Sequence, residues 1–266
     1  MRKILVAGAG NMGSWFIEAL CLDYDVAIYD IVPEKLRYFF RCHKLLSHEE
    51  IRDFSPDLLI NAVPLHKTIP VFESLLPWLP RSCVISDIAS VKNGMKKFYL
   101  GTGYRYASTH PMFGPTFANL RGLNNESAII ISESDDAAKD FFRNFYGKVS
   151  LRIFEYSFDE HDSTIAYSLS IPFVSSMVFA ACMKMIEVPG TTFRKHFDIA
   201  RGLMSEDDYL LSEILLNPYT LEQVERISER LQDVIGLIRK RDTEGLHRFF
   251  KSLKTNIGME SSGKPA

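Results

Sequence analysis

Six residues, Gly8-Ala9-Gly10-Asn11-Met12-Gly13, limit what this chain can fold into more than any other feature. An apolar run, Ile4 to Ala7, precedes them and a helix-forming stretch, Trp15 to Leu22, follows. In a strand, turn and helix of this kind each glycine meets a separate steric demand. Gly8 permits the tight turn, Gly10 lets backbone approach a pyrophosphate, and Gly13 lets the helix lie close to the strand. A phosphate held there sits at a helix N-terminus, where unpaired N–H groups and the helix dipole favour negative charge. The next apolar strand ends in Asp30, about 20 residues on, where a ribose-binding acid is expected. Its carboxylate would accept from the adenosine ribose hydroxyls and repel a 2′-phosphate, so NAD is favoured over NADP. Asn11 and Met12 within the loop, and Val63 at the end of a later strand, complete the expected cofactor-facing set.

The residues around this loop predict a doubly wound α/β fold. Short β-branched runs at Lys3–Ala7, Val26–Asp30, Leu58–Val63, Cys83–Asp87, Tyr106–Ser108 and Ala128–Ser132 alternate with helix-period segments, the pattern of βαβ units and a parallel sheet. Pro33 falls in a first helical turn, and Ser47-His48-Glu49-Glu50 reads as a capping box. Beyond about residue 155 strand signals stop. Asp162 to Met185 is apolar nearly throughout, which suits a buried or subunit-bridging helix, and Pro172 interrupts it by removing the N–H that would reach the Ser168 carbonyl. Leu221, Val224, Ile227, Leu231, Val234 and Ile238 recur at three-and-four spacing behind Thr220-Leu221-Glu222-Gln223, a second capping box, and Leu246, Phe249, Phe250 and Leu253 mark one more helix. The expected organisation is a Rossmann domain over 1–154, an all-α domain over 155–258 and a disordered tail over 259–266.

Charge narrows the range of partners. With 31 basic and 33 acidic residues and no long run of either sign, the chain carries no electrostatic footprint for nucleic acid or a membrane surface. Glycine and asparagine break the first apolar run too early for a signal peptide or a membrane span, so a cytoplasmic protein with a small-molecule partner is expected. Cys21, Cys42, Cys83 and Cys182 lie far apart without a CxxC pair, and are read as reduced, mostly buried thiols with no metal to hold.

In a doubly wound sheet the ligand lies outside the carboxyl ends of the strands, so the residues that follow each strand are the ones to inspect. Two segments qualify, Ser86-Asp87-Ile88-Ala89-Ser90-Val91-Lys92 and Ser108-Thr109-His110-Pro111-Met112-Phe113-Gly114-Pro115. Pro111 restricts His110 to extended geometry where the chain leaves its strand. Histidine has the side-chain pKa nearest neutrality and suits proton acceptance from a substrate hydroxyl.

GAGNMG, SDIASVK and STHPMFGP in this order and spacing, followed by FDEHDSTIAYSLSIP and a helical second half, resemble the prephenate and arogenate dehydrogenases of tyrosine biosynthesis over nearly the whole chain. The resemblance implies an N-terminal Rossmann domain and a C-terminal helical domain that forms a homodimer. It implies NAD-dependent oxidative decarboxylation of prephenate, or the same chemistry on arogenate. Under it His110 is the catalytic histidine and Ser90 orients it or the substrate hydroxyl. Arg201 is the carboxylate-binding cation, with Arg194 and Lys195 as nearby alternatives. Lys92 is either a helper for cofactor or substrate charge or merely exposed. His161-Asp162, at the start of the long helix, has a capping or inter-domain role, with a part in catalysis as the alternative. Many relatives carry histidines where this chain has Ser170 and Phe173, and an acid where it has Thr116. The relatives' histidine and acid contacts do not carry over, and Ser170 and Thr116 stand as the candidate substrate-facing residues at those positions. Imino-acid and β-hydroxyacid reductases, which begin alike, and a nucleotide-sensing regulator are the rival readings.

Overall fold

The computed structural model describes residues 1–113, 126–184 and 186–259. Two compact units emerge: 1–165 with 204–217, and 166–203 with 218–266.

In the first unit β1 (Lys3–Ala7), α1 (Asn11–Leu20), β2 (Asp25–Tyr29), β3 (His43–Leu45), α2 (His48–Phe54), β4 (Leu58–Asn61), α3 (Thr68–Leu75), β5 (Val84–Asp87), α4 (Met95–Thr102), β6 (Arg105–Pro111), β7 (Ser127–Ile131), α5 (Asp136–Lys148) and β8 (Arg152–Tyr156) follow in chain order. Among the described residues the strands form one eight-stranded sheet in the order β3-β2-β1-β4-β5-β6-β7-β8. Its first six strands are parallel in the doubly wound order expected of a dinucleotide-binding sheet. Consecutive residues of β1 serve opposite faces: Ile4 and Val6 join Trp15, Phe16 and Phe142 on one side, while Leu5 and Ala7 join Phe72, Leu75 and Tyr99 on the other. A strand buried on both faces is apolar over most of its length, which is why Ile4–Ala7 of β1 and Leu58–Ile60 of β4 read as continuous runs and not as alternating ones.

Three features depart from expectation. β3 and β8 went unrecognised because they are edge strands with mostly exposed or half-exposed residues, the usual composition where a sheet meets water. β7 runs antiparallel to β6, so the sheet is mixed. β6 also continues to Pro111, and His110 lies inside it opposite Ile129, not in a loop beyond the strand.

The long apolar helix α6 (Phe158–Cys182) starts four residues before the expected Asp162. A capping box sets its start: Ser157 Oγ accepts from the Glu160 N–H at 3.2 Å, and the Glu160 carboxylate accepts from the Ser157 N–H at 2.7 Å. The helix runs through Pro172, and α7 (Thr191–Leu203), α8 (Asp208–Leu215), α9 (Thr220–Lys240) and α10 (Thr243–Asn256) follow. At α9 the expected capping box does not form. Thr220 lies inside the helix, and its hydroxyl pairs with Ser170 Oγ at 2.8 Å within the second unit. Leu221, Leu231 and Ile238 of the apolar stripe are exposed. The four cysteines are free thiols, but only Cys83 is buried and Cys182 is exposed, which corrects the expectation of mostly buried thiols. Residues 260–266, nearly all of the expected tail, lie outside the described residues.

Candidate active site

Register places four strand ends on one edge of the first unit's sheet. Ala7 pairs with Asn61, Asn61 with Asp87, and Asp87 with Ser108, so the glycine loop, Val63, the 88–92 loop and His110 all lie beyond or beside one line of residues.

Backbone sterics build the glycine end. Gly8 has φ +104°, and a Cβ there would stand 2.8 Å from the Ala62 carbonyl oxygen and 3.1 Å from Val63 Cγ1. At Gly13 a Cβ would collide with the Gly8 carbonyl oxygen, so helix and turn touch through this missing methyl. At Gly10 a Cβ would enter open space. Among the described residues no packing demands glycine at that position, while a phosphate laid against the α1 N-terminus would. Gly10 caps α1 without a side-chain hydrogen bond, and the first turn holds no acidic residue, so its N–H groups and positive dipole end are free of a competing carboxylate. Asn11 is exposed, and Met12 is half-buried against the core on that face.

Asp30 is more constrained than expected. Its carboxylate is 8% exposed; Oδ2 accepts from the Ala9 N–H at 2.7 Å and Oδ1 from the Val32 N–H at 2.8 Å, with Lys35 Nζ 3.7 Å from Oδ2. It therefore ties the glycine loop to the turn after β2. Each oxygen keeps a second acceptor direction, which suits a ribose hydroxyl. Asn61, not singled out from sequence, plays a similar part beside Val63: its Oδ1 accepts from the Val63 N–H at 3.4 Å and its amide donates to the Thr68 carbonyl at 2.9 Å.

Buried side chains build the other end. His110 is 7% exposed, and its Nδ1 lies 3.0 Å from Nε2 of His161, which is fully buried. His161 Nδ1 in turn lies 2.8 Å from Asp162 Oδ1. Burial, then the neighbouring His161 and Lys92, push the His110 pKa well below the ordinary histidine value, so the ring is neutral near pH 7. The capping role expected of His161-Asp162 belongs to Ser157 and Glu160; His161 contacts His110 instead, and Asp162 contacts His161.

Lys92 is neither exposed nor a helper for outside charge. Its side chain is completely buried, with Nζ 2.5 Å from Asp87 Oδ2 and donating to the Thr109 carbonyl at 2.7 Å. Asp87 Oδ1 accepts from Tyr99 Oη at 2.6 Å. This cluster underlies the loop carrying half-buried Ser90 and fixes the backbone next to His110.

The remaining candidates belong to the second unit or fall outside the described residues. Arg201 is exposed on α7 with its guanidinium 5.9 Å from the Phe197 ring centre, and Arg194 and Lys195 are exposed on the same helix. Ser170 is fully buried and bonded to Thr220, so the geometry gives it a contact between α6 and α9 in place of an open substrate contact. Phe173 is half-buried. Thr116, with the Gly114-Pro115 end of its motif, lies outside the described residues.

Residues 29–141 match the family described as prephenate dehydrogenase, nucleotide-binding domain. A probable arogenate/prephenate dehydrogenase of Methanocaldococcus jannaschii is 23% identical over 97% of this chain, which spans 61% of that relative's length. Among solved structures, prephenate dehydrogenase from A. aeolicus in complex with hydroxyphenyl propionate and NAD+ has a TM-score of 0.82 at 18% identity, covering 98% of this chain and 99% of that one. Synechocystis arogenate dehydrogenase has a TM-score of 0.77 at 17% identity, covering 96% and 99%. At these identities the two structures establish a shared fold.

Proposed function

We propose that the chain is a member of the prephenate dehydrogenase family, an NAD-dependent dehydrogenase that converts prephenate to 4-hydroxyphenylpyruvate and carbon dioxide in tyrosine biosynthesis; the match of residues 29–141 and the similarity over nearly the whole chain support this reading. The observation that carries this reading is a neutral, buried histidine on the same sheet edge as a glycine loop whose open side fits a dinucleotide phosphate.

Gly8, Gly10, Asn11, Met12 and Gly13 would hold the pyrophosphate, Asp30 the adenosine ribose and Val63 a flank of the cofactor. When bound, the nicotinamide supplies the hydride acceptor. His110 acts on the ring hydroxyl. As the C–H bond beside that hydroxyl breaks, the oxygen becomes carbonyl-like and its proton moves to the imidazole, which gains the positive charge. The ring carboxylate then departs as carbon dioxide, its bonding electrons complete the aromatic ring, and the oxygen regains a proton as a phenol. Ser90, on the loop held down by Lys92 and Asp87, orients the hydroxyl or His110.

Arg201 is the proposed partner for a substrate carboxylate, since a guanidinium matches it with two parallel hydrogen bonds. Arg194 and Lys195 are the alternatives on the same helix. In the second unit the exposed apolar residues of α9 and the apolar length of α6 support a homodimer formed through these helices. α6 is long and apolar enough to cross a membrane, and little of it beyond residues near its start such as His161 and Ile165 is buried within one chain; a helix covered by a second copy, in a cytoplasmic enzyme, is the reading that goes with the proposed dimer.

The relatives' names also favour arogenate as a second substrate reading, with the same ring chemistry and an ammonium group in place of a keto group. A matrix of prephenate or arogenate with NAD or NADP separates the two. Nicotinamide reduction is expected with prephenate and NAD, and Asp30→Ser should weaken NAD and relax discrimination against NADP. Failure of every pair to give reduced nicotinamide, with dinucleotide binding intact, would sink the proposal.

A further inference from the structure

We infer that His161 and Asp162 are positioning residues that fix His110 in the one neutral tautomer able to accept a proton from substrate. The inference rests on the reading of His110 as proton acceptor, but its geometric basis is independent of any substrate.

The protons can be placed in order along the chain of contacts. A carboxylate oxygen only accepts, and Asp162 Oδ1 faces both His161 Nδ1 at 2.8 Å and the Lys92 backbone N–H at 3.2 Å. His161 therefore carries its proton on Nδ1. Burial lowers the pKa of His161, with Lys92 acting in the same direction and Asp162 against it, and the net direction is down. The ring is neutral and its Nε2 bare. A bare nitrogen accepts, so the 3.0 Å contact with His110 requires the hydrogen on His110 Nδ1. His110, itself neutral, is left with a lone pair on Nε2, the nitrogen turned away from the relay. The opposite tautomer would set two lone pairs against each other in a buried contact and present an N–H where an acceptor is needed.

The relay is held from several sides. Asn217 donates to the Asp162 carbonyl at 3.1 Å, and the Lys92 N–H bond joins Asp162 to the loop bearing Ser90. Lys92 and Asp87 face it from β5 and the loop after it, with Tyr99 from α4 closing that pair; Tyr146 of α5 holds Thr109, one residue before His110, at 2.8 Å. When a proton arrives at Nε2, the new imidazolium donates through Nδ1 to His161, which donates to Asp162. Both bonds strengthen without a second proton transfer. This is the logic by which a buried acid orients a catalytic imidazole in hydrolytic triads, here extended by one ring.

The test is a long-range proton–nitrogen spectrum of the full-length enzyme labelled with ¹⁵N-histidine, His110 being assigned through its loss in His110→Asn. A protonated Nδ1 and bare Nε2 on His110 near neutral pH are expected; a protonated Nε2 in the wild type overturns the inference. In His161→Phe the Nδ1 preference should vanish and kcat should fall by on the order of 10²-fold, with dinucleotide Kd unchanged. His161→Gln, whose amide oxygen can still accept, should recover most of the Nδ1 preference and of kcat. Unchanged tautomer and turnover in His161→Phe, or no recovery in a well-folded His161→Gln, counts against it. If His110→Asn retains turnover, the proton-acceptor reading fails by itself, since the tautomer is measured in the resting enzyme.

Discussion

The glycine loop and the His110 cluster share one edge of a single sheet but are held by opposite means. At the glycine loop, shape comes from absent side chains: a methyl at Gly13 has no room, and one at Gly10 meets none of the described residues. At the His110 end shape comes from buried polar side chains that satisfy one another, His110 with His161 and Lys92 with Asp87. A backbone cradle binds whatever fits its N–H groups. A side-chain network sets protonation, and protonation decides chemistry. Damage to the two should accordingly separate binding from turnover.

The largest separation is expected from His110→Asn. Loss of the proton acceptor should lower kcat by about 10²- to 10⁴-fold, while a fluorescence titration gives an unchanged dinucleotide Kd. Parallel losses in both would merge the two regions into one. Lys92→Met comes next, because it removes the only cation against the buried Asp87 carboxylate among the described residues and leaves it neutral donors alone, Tyr99 Oη and the Ala89 N–H. A denaturant titration should show a loss of about 3–5 kcal/mol, the range for breaking a buried pair from one side.

The glycines sharpen the contrast from the other end. Gly13→Ala must displace backbone, at a cost of about 1–3 kcal/mol, and should weaken dinucleotide binding as well. Gly10→Ala should melt like the wild type and yet bind dinucleotide less tightly. Equal melting points for the two variants would show that the loop is not the rigid cradle described.

The smallest effect is a pH slope. Burial lowers the folded-state pKa of both His110 and His161. Below the ordinary histidine value of about 6.5 the unfolded chain then binds more protons than the folded one. Stability should therefore hold steady above that pH and fall as pH drops below it, by up to about 1.4 kcal/mol per pH unit for each histidine. Chemical denaturation across the range should show a shallower slope in His110→Asn. Because the proposed proton acceptor, His110, would have to be neutral to act, the acid limb of kcat/KM should also lie below the ordinary histidine pKa.

The same contrast explains what could be read from sequence. The glycine loop is local and steric, so Gly8, Gly10 and Gly13 declare their purpose within six residues, and the strands buried on both faces show as apolar runs. Edge strands such as β8 lack that pressure and leave no such trace. The His110–His161 contact spans 51 residues, and the Lys92–Asp162 bond spans 70. No pattern along the chain reports either one. Thr220 shows a subtler failure: a well-formed capping motif lost its hydroxyl to Ser170, 50 residues away. The Ser157–Glu160 box was legible and simply lies upstream of where the apolar run begins.

The most direct test of the central claim, that a dinucleotide cradle and a neutral His110 together serve one oxidative decarboxylation, is the ratio of carbon dioxide released to nicotinamide reduced with prephenate and NAD. Equal amounts are expected throughout the reaction. Reduction without carbon dioxide release would contradict the claim and leave a dehydrogenase of another kind.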